Sequence, residues 1–158
     1  APRAIPVREG FVLELGKHAL QFIAAPMIHW PEVFMSYDAC DKVLFSADAF
    51  GTFSANDHEP EEPWETEARR YYYGTVGKFG TFTETLLKKA AGLDIQTICS
   101  LHGPVLTGDV SHYVDLYKKW ATYTPESDGV FIPYTSIYGH TEKRYSSWQK
   151  NSKKPAKR

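Results

Sequence analysis

Cysteine is scarce. The 158 residues hold two, Cys40 and Cys99, in different segments and with no second cysteine nearby. That excludes a disulfide framework and a C-x-x-C redox or zinc motif, and it predicts two buried free thiols, with Cys99 inside an apolar strand. Long hydrophobic runs are also missing. Nothing approaches the roughly 20 apolar residues that span a bilayer, and the first residues lack the charged-then-apolar order of a secretory signal. The expectation is a soluble, cytoplasmic protein. Acid is absent from Lys143 onward, where seven basic residues stand; the residues before it carry 11 Lys and Arg against 19 Asp and Glu, a net of −8. A basic tail suits nucleic acid or an anionic membrane. This one is short and no RNP-like or helix-turn-helix pattern accompanies it, so solvated disorder is expected over 146–158 and no nucleic-acid or membrane partner is inferred.

What is present is enough for a core. The chain is 42% hydrophobic and 15% aromatic, the composition of one globular domain. Two β-rich runs, Phe11 to Leu15 and Ala19 to Ala24, flank Gly16-Lys17-His18 and read as a hairpin. Val43 to Ser46 reads as a third strand. Residues 52–63 are a polar excursion. A helical pattern begins near Glu65, is punctuated by Gly77 and Gly80, and resumes through Leu86-Leu87 to a C-cap at Gly92. Thr97-Ile98-Cys99 reads as a strand and Val110 to Tyr123 as a helix with Val114, Tyr117 and Trp120 on one face. Thr124 to Gly129 looks like a linker. After it, Val130 to Tyr134 is an apolar strand feeding the loop Thr135-Ser136-Ile137-Tyr138-Gly139-His140-Thr141, an arrangement that opens an α/β unit.

Three of these strands share one device: each runs into a loop that delivers a metal-binding side chain. Leu20 to Ala24 leads through Pro26 to His29, Val43 to Ser46 leads to Asp48, and Thr97 to Cys99 leads to His102. A neutral imidazole offers one lone pair, whereas a carboxylate offers two oxygens and can bridge two cations. Two cations about 3.5 to 4 Å apart need such a bridge, since its negative charge offsets their repulsion. Asp48, among the small residues of Ser46-Ala47-Asp48-Ala49-Phe50-Gly51, is the candidate bridge. His29 and His102 are its companions, each stiffened by a proline two residues on. Singly, each has a bland reading as a turn, cap or surface residue; it is the joint pattern that suggests a metal site. His18, His58, His112 and His140 have no such setting and read as surface residues.

The runs Pro26 to Glu32, Leu44 to Gly51, Glu67 to Tyr72, Leu101 to Val105 and Tyr134 to Glu142 closely resemble, in that order, the flavodiiron proteins, also called A-type flavoproteins. The resemblance spans roughly residues 5 to 143. It implies an α+β fold: half of an αββα metallo-β-lactamase-like sandwich over 1–123, a linker over 124–129, and the first strand and phosphate loop of a flavodoxin-like domain over 130–145. It further implies a non-haem diiron site with His29 and His102 on different irons and Asp48 between them, and an FMN phosphate cradle at Thr135, Ser136, Ile137, Tyr138, Gly139, His140 and Thr141. Members reduce dioxygen to water or nitric oxide to nitrous oxide, with electrons that reach FMN from a rubredoxin-like donor or a reductase.

The departures are as informative. The family's H-x-E-x-D-H motif, which supplies the other iron ligands, is absent from these 158 residues. So is the remainder of the flavodoxin domain. Pro133 also sits awkwardly in what should be a central strand, where a ladder donor is needed. The sequence therefore reads as a fragment of an oxidoreductase, inactive alone, that pairs as a homodimer or with a complementing chain. Two alternatives stand beside it: a metal-dependent hydrolase of the metallo-β-lactamase superfamily, acting through metal-bound hydroxide, and a non-enzymatic remnant or interaction module.

Overall fold

The structure, a computed structural model, describes residues 3–55, 57, 62–129 and 132–152, with side chains as far as 150. The chain forms two compact units, residues 1–126 and 127–158. In the first, β1 (Val12–Leu15) and β2 (His18–Ala24) form the expected hairpin, and β3 (Phe34–Asp38), β4 (Val43–Phe45) and β5 (Thr97–Cys99) follow in spatial order to complete a five-stranded mixed sheet. The β1 to β4 pairs are antiparallel and β4 pairs with β5 in parallel. It follows that β2, β4 and β5 all point the same way, so their C-terminal ends lie along one edge. His29, Asp48 and His102 each follow one of those ends.

The register separates the two sheet faces. Tyr37, Leu44 and Ile98 are partnered across β3, β4 and β5 and, with Met35 and Ile23, lie in the main core. Helices α1 (Trp64–Thr75), α2 (Gly80–Ala90) and α3 (Val110–Ala121) supply the rest of that core through Ala68, Tyr72, Leu86, Leu116, Tyr117 and Trp120. The opposite face carries Phe22, Ser36, Phe45 and Cys99 in register. Among the described residues no second sheet covers it, and Phe45 is exposed.

Several expectations change. The strand β3 went unassigned in the sequence because polar Ser36 and the acids around Cys40 hide its alternation; paired on both sides, it buries Met35 and Tyr37 all the same. Cys40 is exposed rather than buried because it sits in the tight turn joining β3 to β4, and Cys99 is only half-buried. Gly92 does not cap α2, which ends at Ala90 with Ala91 still right-handed. The linker shortens, because Glu126 belongs to the first unit: its carboxylate accepts both Arg69 Nε–H and Nη2–H, and the Trp120 indole N–H, each at 2.7 Å.

In the second unit, Val130 and Phe131 of the expected strand lie outside the described residues. Ile132 to Tyr134 form no strand, consistent with the donor that Pro133 lacks. Helix α4 (His140–Ser152) runs well past the point where disorder was expected to begin. The stacking of Tyr134 on Tyr145, with ring centroids 4.9 Å apart, gives that helix an apolar anchor; residues 153–158 of the basic tail lie outside the described residues. No helix is long and apolar enough to cross a membrane among the described residues.

Candidate metal centre

The three side chains delivered by β2, β4 and β5 converge. His29 Nε2 lies 3.8 Å from Asp48 Oδ2, and His102 Nε2 lies 3.5 Å from Asp48 Oδ1. Each carboxylate oxygen thus faces a different imidazole. The three do not form a cluster with all donor atoms within 4.8 Å of one another, so they are spread more widely than ligands of a single ion. The open cleft beside them, about 420 Å³, is lined by His29, Thr52, Phe53, Ser54, Tyr71, Thr75 and His102.

The backbone around Asp48 is closely determined. Ala47 and Phe50 adopt left-handed φ of 52° and 64°, a conformation that costs a residue with a Cβ about 1 to 3 kcal/mol and persists only where surrounding contacts impose it. Those contacts are present. Ser46 N–H donates to Cys99 O at 3.0 Å and Leu101 N–H to Ala47 O at 2.8 Å, joining the Asp48 loop to the His102 loop. The buried Ser46 hydroxyl donates to Ala49 O at 2.7 Å. Phe50 N–H donates to the phenol oxygen of Tyr117, buried on α3, at 2.6 Å. Thr52 N–H donates to His102 O at 3.1 Å. Gly103, at φ 96°, allows this last approach, since a Cβ there would meet Thr52 Oγ1 at 2.3 Å.

Tyr71 completes the setting. Burial first, and then the charge of Asp48 and a hydrogen bond to it, push its phenol up to about 12. It therefore stays protonated and donates to the Asp48 carboxylate, and its ring centroid lies 6.1 Å from that of His102. Sequence reading quoted Tyr71 within a family-like run but gave it no role. The signal was the helix phase, which buries Ala68, Tyr71 and Tyr72 and turns Tyr73 outward.

As a donor set, an imidazole on each side of one carboxylate fits the shared part of a dinuclear centre, which His29, Asp48 and His102 would help to hold. Three side chains leave most of both coordination spheres to other groups.

Residues 3–103 match the family described as ODP family beta lactamase. The chain belongs to the flavodiiron protein family. It is 33% identical over 144 residues to the anaerobic nitric oxide reductase flavorubredoxin of Aeromonas salmonicida, covering 86% of this chain and 27% of the relative. Among solved structures, the rubredoxin oxygen:oxidoreductase of Desulfovibrio gigas superposes with a TM-score of 0.66 at 30% identity, over 73% of this chain and 31% of the other. A variant of the flavo di-iron protein of Thermotoga maritima superposes over 94% of this chain and 40% of its own, with a TM-score of 0.78; at 22% identity it shows the fold alone. The flavodiiron chain thus spans between a quarter and two fifths of the length of these relatives. The five-stranded sheet and helices correspond to part of the family's β-lactamase-like domain.

In the second unit of this flavodiiron chain, Thr135 to Gly139 form an irregular loop leading into α4. Gly139 has φ 74°, Lys143 N–H donates to Gly139 O, and Glu142 N–H donates to Ser136 Oγ at 3.4 Å. Ile137 and Tyr138 are exposed. Hydroxyls at the start of a 13-residue helix suit a phosphate, while Glu142 in the first turn places a negative charge against one.

Proposed function

We propose that this chain supplies one part of the diiron centre, and the beginning of the FMN site, of an oxidoreductase that reduces dioxygen to water or nitric oxide to nitrous oxide. The observation that carries the reading is the division of the Asp48 carboxylate between two imidazoles, Oδ2 toward His29 and Oδ1 toward His102. In this reading Asp48 bridges, and His29 and His102 each hold one iron. The remaining ligands come from an H-x-E-x-D-H segment outside these residues. When bound, a ferrous pair would supply two electrons and reduced FMN two more, enough for the four that dioxygen takes on the way to water, while coupling two nitric oxides to nitrous oxide takes only two.

The chain's own residues then have definite tasks. Asp48 neutralises part of the charge of two close cations, which without a bridging anion repel strongly. Tyr71, protonated throughout the working range, fixes the Asp48 carboxylate with a hydrogen bond while adding no further negative charge. Thr52 and Phe53 line the cleft that would admit a small diatomic substrate. At the second unit, Thr135, Ser136, Ile137, Tyr138, Gly139, His140 and Thr141 bear on the FMN phosphate through hydroxyls and backbone N–H groups. A rubredoxin-like protein or a reductase serves as donor, and the sheet face carrying Phe22 and Phe45 is where the complementary half of the sandwich packs.

Complementation tests this. The chain is mixed with a polypeptide that bears H-x-E-x-D-H and the flavodoxin remainder, loaded with iron and FMN, and supplied with reduced rubredoxin. Dioxygen or nitric oxide consumption is expected only in the mixture, with a loss of at least about 100-fold on Asp48→Ala, since a group that holds reacting metals contributes several kcal/mol to the transition state. Consumption that ignores Asp48→Ala, or none from an iron-loaded mixture, overturns it.

A further inference from the structure

We infer that the protein carries a second metal site, for a zinc-like dication, at the end of the sheet opposite Asp48, formed by His18, Cys40 and Asp41. One ring nitrogen of His18, the Cys40 sulfur and an Asp41 carboxylate oxygen lie within 4.8 Å of one another, the one group of three metal-binding residues so placed among the described residues. They come from two separate turns. His18 opens β2 at the hairpin, Cys40 and Asp41 make the β3–β4 turn, and the pairing of Leu20 with Asp38 brings those turns side by side. The seven residues of β2 separate this end of the sheet from His29 by about 20 Å at roughly 3.3 Å per residue, so the two sites share no ligand.

A second observation points to a cation here. Asp38 is buried, and its Oδ2 lies 2.6 Å from His18 Nδ1 while its Oδ1 accepts the Cys40 N–H at 2.9 Å. A carboxylate holding one imidazole nitrogen is the arrangement that orients a metal-binding histidine and leaves Nε2 with its lone pair free. The same carboxylate fixes the backbone of the second ligand. Asp38 therefore organises both halves of the cluster without being a ligand itself.

The donor set selects the ion. One thiolate, one imidazole and one carboxylate suit zinc and disfavour magnesium or calcium, which take oxygen alone. Ligand bonds of about 2.0 to 2.3 Å put tetrahedral donor atoms roughly 3.5 Å apart, so the cluster closes by about 1 Å. The side chains of Cys40 and Asp41, exposed on a turn, are free to do this. The fourth position is left to water. On binding, the Cys40 thiol passes its proton to solvent and the thiolate takes its place on the metal, so affinity falls as pH is lowered. The bound ion would clip the β1–β2 hairpin to the β3–β4 turn.

Cobalt(II) titration of the full 158-residue chain, with zinc(II) as competitor, tests this. The account predicts one equivalent of cobalt with a thiolate-to-cobalt charge-transfer band that zinc abolishes. The band survives Cys99→Ser and the His29→Ala/His102→Ala pair, disappears in Cys40→Ser, and needs about 10- to 100-fold more cobalt in Asp38→Asn. Zinc also slows alkylation of Cys40 in the unaltered chain by at least about tenfold, a reading that needs no variant to fold. Absence of the band, its persistence in Cys40→Ser, its loss in Cys99→Ser, or alkylation of Cys40 unaffected by zinc would each overturn the site.

Discussion

Asp48 is held by groups that have nothing to do with metal. Tyr117, on a helix remote in sequence, reaches back to accept the Phe50 N–H at 2.6 Å, and the burial that makes this possible pushes its phenol far above its ordinary range. Tyr117→Phe keeps the ring but leaves that buried N–H without a partner. The expected cost is about 1 to 3 kcal/mol, read as a lowered urea midpoint, and a change below about 0.5 kcal/mol would show that Tyr117 does not hold the loop. At this scale the sequence was legible in the three strand ends that bring His29, Asp48 and His102 to one place. Tyr71 and Tyr117 were not legible as site residues, because aromatic side chains on a helix give the same periodic signal whether they fill a core or face a carboxylate. Cys40 was misread for a related reason: a thiol has no polarity that marks it as belonging to a turn.

The helices are joined by a few contacts that composition does not disclose. Gly80 opens α2 where a Cβ would come within 2.4 Å of Ala121 O, at the end of α3. A backbone oxygen cannot rotate out of the way, so Gly80→Ala forces the two helices apart. An overpacking cost of about 1 to 3 kcal/mol is expected, measured as a fall in thermal midpoint; an unchanged or raised midpoint would contradict that packing. Charge works similarly at the element ends. Glu65 on α1 accepts from its own backbone N–H and pairs with His112 on α3, and Glu126 is held by Arg69 and then by the Trp120 indole; both carboxyls lie below their ordinary range. Because the folded values are the lower ones, this stability is complete above the ordinary Glu value of about 4.3 and is lost as pH falls through the folded values. Glu126→Gln should make the fall in thermal midpoint below about pH 4 shallower. A parallel fall in both proteins would remove Glu126 from that account. The sequence placed Glu126 in a linker since Thr-Pro-Glu-Ser-Asp-Gly is turn chemistry throughout; only the partners on α1 and α3 assign it to the first unit.

For the molecule as a whole, the family-like runs implied the α+β fold that matches part of the β-lactamase-like domain, and four of its five strands, β1, β2, β4 and β5, were legible in the sequence. The beginning of the second unit was less legible. A strand and phosphate loop were expected from letters that resemble a flavodoxin, yet Pro133 and the absence of any neighbouring strand among the described residues of that unit leave Ile132 to Tyr134 irregular, while α4 extends through residues that seemed too basic to fold. Tyr145 and Trp148, three apart with Tyr134 stacked on the first, supply an apolar side that charge counting overlooks.

The sheet's open face, and an Asp48 carboxylate with one oxygen toward each imidazole, both support the proposed centre, which would close when a second set of ligands arrives. Anomalous diffraction at the iron edge from crystals of the complemented, iron-loaded protein tests that most directly. Two peaks about 3.5 to 4 Å apart are predicted, one beside His29 and Asp48 Oδ2, the other beside His102 and Asp48 Oδ1. A single peak, or a pair that leaves Asp48 outside coordination distance, would contradict it.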